Sequence, residues 1–122
     1  MVGVKIMGEE KFNGESTRQF YRINYPDVVR PRLRTKKGSF LIKCLSEHGA
    51  ELVIEDHRLV EPKESIYGDV TFHNGESSFV EGLVLRSFGE SFILRFTVGV
   101  PLRIIVNEQR YLKEQYRHID NG

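Results

Sequence analysis

The stretch 67-YGDVTFHNGESSFVEGLVLRSFGESFILRFTV-98 decides the fold. Its apolar residues recur at every second position, the period of a strand whose two faces differ. Val70 and Phe72 share a face of 67–73, and Phe79, Leu83 and Leu85 share a face of 77–86. Phe92, Leu94, Phe96 and Val98 fall together in 91–98. Asn74-Gly75 is the dipeptide of a type I′ hairpin, and Gly89 marks the next turn.

Upstream the pattern continues. The segment 39-SFLIKCLS-46 is mostly apolar on both faces, and 49-GAELVIED-56 alternates with Ala50, Leu52 and Ile54 on one side. Leu33, between Arg32 and Arg34, marks a further strand, Lys37-Gly38 makes a turn, and 57–66 reads as a loop around Pro62. Short strands separated by turn chemistry from about 31 to 98 predict a mainly β fold, a barrel or sandwich of about six antiparallel strands.

After 98-VGVP-101 the period changes. Leu102, Ile105, Val106, Leu112, Tyr116 and Ile119 recur at helical spacing, with Pro101 suited to the first turn and Asn121-Gly122 to the end. A C-terminal amphipathic helix from about 101 is expected, packed on the barrel or on a partner. Residues 1–17 carry Gly3, Gly8 and Gly14 among charges without a sustained period, which predicts a mobile N-terminal arm ahead of one domain over 18–122.

At 122 residues the chain has one domain's length, and 39% hydrophobic with 29% charged residues is the composition of a globular protein. A formal net charge of +1 argues against a DNA-binding domain, which carries a basic excess. Any anion site must be local. The single cysteine, Cys44, cannot close an internal disulfide, and the start lacks a secretory apolar run, so a cytoplasmic protein is expected. No run of 18 apolar residues encodes a membrane span.

Two groups of cations stand before the β region. On a strand Arg30, Arg32 and Arg34 point together to solvent while Leu33 points inward. Arg18 and Arg22, in 17-TRQFYRINYP-26, are interleaved with Phe20 and Tyr21. If extended they share one side roughly 13 Å apart, too far to grip one phosphate but suited to opposite parts of a larger anion. Alone, such a pair also reads as ordinary solvent charge. Between two apolar strands, 44-CLSEHG-49 is a tight turn in which Ser46 offers a capping hydroxyl. Gly49 there supplies either a positive φ or a close backbone approach, and a plain hairpin turn would explain both residues.

Taken together, Arg18-Gln19-Phe20-Tyr21-Arg22 and, 22 residues on from Arg22, Cys44-Leu45-Ser46-Glu47-His48-Gly49 resemble the PilZ domain. That family carries R-x-x-x-R followed at a similar interval by [D/N]-x-S-x-x-G. Arg34 lies only ten residues before Cys44, so the first arginine pair is the match. The resemblance runs from about Arg18 to the C-terminal helix and implies a six-stranded antiparallel β-barrel with a trailing α-helix. It implies binding of cyclic di-GMP, with Arg18 and Arg22 on phosphate and guanine and Ser46 and Gly49 against the ligand. Cys44 departs from the family's Asp or Asn, and its thiol is a poorer hydrogen-bonding partner.

No cofactor beyond that ligand is expected. Cys44 and His48 are half a zinc site at most, because His57, His73 and His118 lack ligand spacing. As a nucleophile pair they have no readable orienting group, so no enzyme is expected. A protein-interaction adaptor that has lost nucleotide binding, and a small barrel that stacks single-stranded RNA, are the alternatives to a receptor that signals to an effector protein.

Overall fold

The structure, a computed structural model, describes residues 22–56 and 58–120, with the side chains of 116–120 outside that description. Seven strands and one α-helix follow in order: β1 (Ile23–Asn24), β2 (Arg32–Thr35), β3 (Gly38–Leu45), β4 (Gly49–Ile54), β5 (Ser65–Thr71), β6 (Ser77–Ser87), β7 (Ser91–Val98) and α1 (Leu102–Asp120). Every pairing is antiparallel. The order β2-β5-β6-β7-β4-β3 returns to β2, so six strands close into a barrel and β1 lies outside on β3. Closure leaves those six strands without a free edge. Among the described residues no helix is long and apolar enough to cross a membrane.

The expected alternation fills the barrel. Leu33 pairs with Phe40, Leu52 with Phe92 and Val84 with Leu94, all with side chains buried. Phe40 and Phe92 meet edge to face at 5.2 Å, a favoured arrangement of ring quadrupoles. Phe79, Leu83 and Leu85 do share a face, and it is the outer one, each being about half exposed, while Val80 and Val84 point inward. Strand β5 begins earlier than expected, at Ser65, and buries Ile66, which shortens the loop around Pro62. In β7, Thr97 is an extra residue between the pairs Gly82–Phe96 and Glu81–Val98, so Val98 rotates out of the face it would share with Phe92 and Leu94.

The Asn74-Gly75 hairpin forms with a different turn. Gly75 is at φ 93° and Asn74 has no positive φ, which a type I′ turn would need. The amide of Gly75 donates to Phe72 O at 3.0 Å and that of Phe72 to Glu76 O at 2.7 Å, the pattern of a three-residue loop closed by a left-handed glycine. Asn74 Oδ1 accepts from the Glu76 amide at 3.0 Å, which holds the longer loop.

Arg32 and Arg34 stand exposed on either side of buried Leu33 as expected, whereas Arg30, Leu102 and Val106 depart from their expected places. Arg32 lies on β2 and donates both prongs of its fork to Glu55 at 3.0 Å, holding that carboxyl below its ordinary pKa, while Arg34 bonds Thr71 at 2.7 Å. Arg30 precedes the strand and pairs half-buried with Asp27 at 2.8 Å, because a short helical turn, Asp27–Val29, ends just before it. On α1, Ile105 and Leu112 are buried as expected, joined by Ile104, while Leu102 is exposed and Val106 half-buried. Tyr116 and Ile119 lie beyond the described side chains, and Asn121-Gly122 outside the described residues.

The helix also buries a charge-bearing residue, Glu108. Its Oε2 accepts from the Tyr25 hydroxyl at 2.9 Å and lies 2.7 Å from His73 Nδ1, while Oε1 accepts from the His73 amide at 3.1 Å. A buried carboxylate persists only when its oxygens are satisfied in this way. The network joins the segment entering β1, the β5–β6 hairpin and α1.

Candidate functional site

A bulge in β3 sets the position of Cys44. Ile42 pairs with Leu52 and Cys44 with Glu51, which leaves Lys43 as an extra residue. Strict alternation from Phe40 and Ile42 would send Cys44 inward. The extra residue instead turns Leu45 into the core and leaves Cys44 half-buried on the outer side.

The turn that follows is held by its own small residues. Ser46 N donates to Gly49 O at 2.9 Å, and Ser46 Oγ accepts from the His48 amide at 3.3 Å and donates to Gly49 O at 3.4 Å. Of the two reasons for a glycine at 49, close approach is the operative one. A Cβ there would stand 2.5 Å from the carbonyl oxygen of Leu94 on β7.

Register then aligns the site. Ile23 pairs with Leu45, so Arg22, one residue earlier, stands level with Ser46. Ser46 closes its turn on Gly49, and Gly49 pairs with Arg95. The neighbours Ile23, Leu45, Ala50 and Leu94 are buried, so Arg22, Ser46, Gly49 and Arg95 form one row on the outer face. The middle of the row is small and its ends are cationic.

Above this row lies a cleft of about 450 Å³ lined by Arg22, Cys44, Ser46, His48, Gly49, Glu51, Leu85, Ile93 and Arg95 among others. Arg22, Cys44, Ser46 and Gly49 are therefore brought together, while Arg18 lies outside the described residues. Leu85 continues the outer face of Phe79 and Leu83 and is 52% exposed, at a bulge where Val84 pairs with Leu94 and Arg86 with Ile93. Leu85, Ile93 and Arg95 carry no motif. The register of β7 against the turn is the signal that could have found Arg95.

The electrostatics are mixed. Burial is the main influence on the Cys44 thiol and pushes it up, partly offset by the positive field of Arg22 and reinforced by Glu51. The thiol donates to Asn24 Oδ1 at 2.8 Å. Glu51 is engaged by Lys43 at 3.6 Å. Arg22 and Arg95 make no ion pair or hydrogen bond through their guanidinium groups with the described residues. The fork of a guanidinium suits planar acceptors, while the protonated thiol is a weak donor and a poor nucleophile. Among the described residues no group of three His, Cys, Asp or Glu is placed to hold a metal ion.

No protein-family model matches the chain. No curated protein matches it either. Among solved structures it is similar to the crystal structure of an uncharacterized Legionella protein, at 18% identity and a TM-score of 0.50, over 83% of this chain and 98% of that one. At that identity the likeness concerns the fold alone.

Proposed function

We propose that this chain is a PilZ-type receptor for cyclic di-GMP, a cytoplasmic binding module and not an enzyme, which passes its signal to an effector protein. The observation that supports the reading is the row of Arg22, Ser46 and Gly49 beside Cys44 in one open cleft. Cyclic di-GMP presents two phosphates and two guanines, whose O6 and N7 accept both prongs of an arginine and whose faces stack on a guanidinium. Arg22 offers that fork, and the small residues beside it leave room for a base. Arg18 is assigned the second fork of the motif. A ligand engaged by both arginines would draw the preceding arm across the cleft, and an effector that prefers this arrangement would be recruited, since a ligand shifts an equilibrium only through differential affinity.

Titration calorimetry of the chain with cyclic di-GMP, GTP and a short single-stranded RNA tests the reading. Saturable heat with the cyclic dinucleotide alone is expected, weaker as salt rises and abolished by Arg22→Ala with unchanged circular dichroism. The stoichiometry distinguishes one ligand from a stacked pair. A folded protein that gives no heat with cyclic di-GMP would sink it.

One observation favours a second reading. The Cys44 thiol is directed to Asn24 at the position where the resemblance calls for Asp or Asn, as in a domain that has lost nucleotide binding and acts as an adaptor. That reading expects no heat with any of the three ligands.

A further inference from the structure

Arg95 ends the row that Arg22 begins. Three ladder steps separate β1 from β7, which sets the two backbones roughly 14 Å apart across the outer face. Between them stand only Ser46 and Gly49, so nothing bulky in that row blocks either side chain from leaning over the cleft.

Several cations elsewhere in the molecule are held in place: Arg30, Arg32, Arg58, Arg103 and Lys43 each by a carboxylate, and Arg34 by the hydroxyl of Thr71. Arg95, exposed and lining the cleft, is held by no carboxylate among the described residues. Beside it the face is aliphatic: Ile93, two residues away on the same side of β7, and Leu85, on the outer face of β6, both line the cleft. A guanidinium with no carboxylate partner among the described residues, next to an outward aliphatic surface, offers a flat, partly apolar ligand both an ionic contact and a face to lie on.

We propose that Arg95 is a third direct contact for the cyclic dinucleotide, engaging the half of the ligand that Arg22 does not reach, with Leu85 and Ile93 as the shelf under a guanine. The assignment rests on the reading of the cleft as a cyclic di-GMP site, and it adds a residue that lies outside both motifs. Recognition then depends on a ligand long enough to meet both ends of the row.

The test is calorimetric titration of the full chain with cyclic di-GMP at constant salt, comparing wild type with R22A, R95A, R95K and R110A. Arg110 is exposed on α1 and serves as the control for overall charge. R95A should weaken binding roughly 10- to 100-fold, the effect of losing a hydrogen-bonded charged contact. R95K, which keeps charge without the fork, should fall between, and R110A should match wild type. If R22A loses binding while R95A stays within about twofold of wild type, the assignment of Arg95 is overturned and the receptor reading survives. Equal losses in R95A and R110A also overturn it, as a general charge effect. No binding by wild type overturns both.

Discussion

The hydroxyl of Tyr25 donates to Glu108 Oε2 at 2.9 Å, which ties the chain three residues beyond Arg22 to the middle of α1. The same carboxylate caps the His73 amide of the β5–β6 hairpin, so three separate segments depend on one buried side chain. Glu108→Ala would leave the Tyr25 hydroxyl and the His73 amide without their acceptor. Each orphaned buried donor costs about 1–3 kcal/mol, and a total loss of about 3 kcal/mol is expected. Glu108→Gln, which keeps the shape and one acceptor oxygen, should lose less. Urea unfolding of both variants checks the order.

Alkaline pH addresses the other end of that bond. Burial, then the charge of Glu108, pushes the Tyr25 phenol well above its ordinary value. With a raised folded pKa, the stabilisation is complete below the unfolded pKa and is lost as pH climbs past about 10, where the unfolded phenol releases its proton and the folded one does not. The chain should therefore lose stability between about pH 9 and 11 more steeply than Tyr25→Phe. Equal slopes for the two proteins in urea melts would contradict the buried, protonated phenol.

Gly49→Ala tests the close approach that shapes the turn. A methyl group 2.5 Å from Leu94 O cannot be accommodated without moving β7 or the turn, since the neighbour is backbone and not a flexible side chain. Such overpacking costs about 1–3 kcal/mol. Because Gly49 pairs with Arg95, the displacement would also spread the row on which the cleft is built. Lower stability together with weaker ligand binding is expected, measured by urea melts and calorimetry on the same samples.

How legible this molecule was depends on whether a feature is periodic or an interruption of a period. The inward residues Leu52, Val70, Phe92 and Leu94 follow from alternation, while the run apolar on both faces around Phe40 and Ile42 leaves its inner side to be set by pairing, and together they carry the barrel. Bulges at Lys43, Leu85 and Thr97 each add one residue to a strand and invert the faces beyond it, which alternation alone does not reveal. Cys44 reaches the outer side and Val98 leaves the face of Phe92 and Leu94 through just such inversions. Arg22, Ser46 and Gly49 were legible as a motif in sequence, whereas Arg95 became visible only once strand register set it opposite Gly49. Glu108 reads as a solvent charge on a helix until the turn at His73 and the ring of Tyr25 close over it.

Cys44→Asp bears most directly on whether the cleft takes cyclic di-GMP. A carboxylate at 44 would stand where the thiol now donates to Asn24 Oδ1. Rotating the Asn24 amide by half a turn presents its NH₂ instead, so the pair can re-form with the roles reversed. Arg22, whose positive field already reaches this position, would gain a carboxylate partner to orient its fork, while guanine N–H donors would gain an acceptor the thiol does not supply. Opposing this, Cys44 pairs across the ladder with Glu51, and two carboxylates there repel, although Lys43 at 3.6 Å neutralises part of that charge. A charge-assisted hydrogen bond contributes about 1.5–3 kcal/mol, which outweighs the partly exposed repulsion and predicts roughly 10- to 100-fold tighter binding. Calorimetry on the folded variant decides it: affinity equal to or below that of wild type would mean that position 44 does not face the ligand.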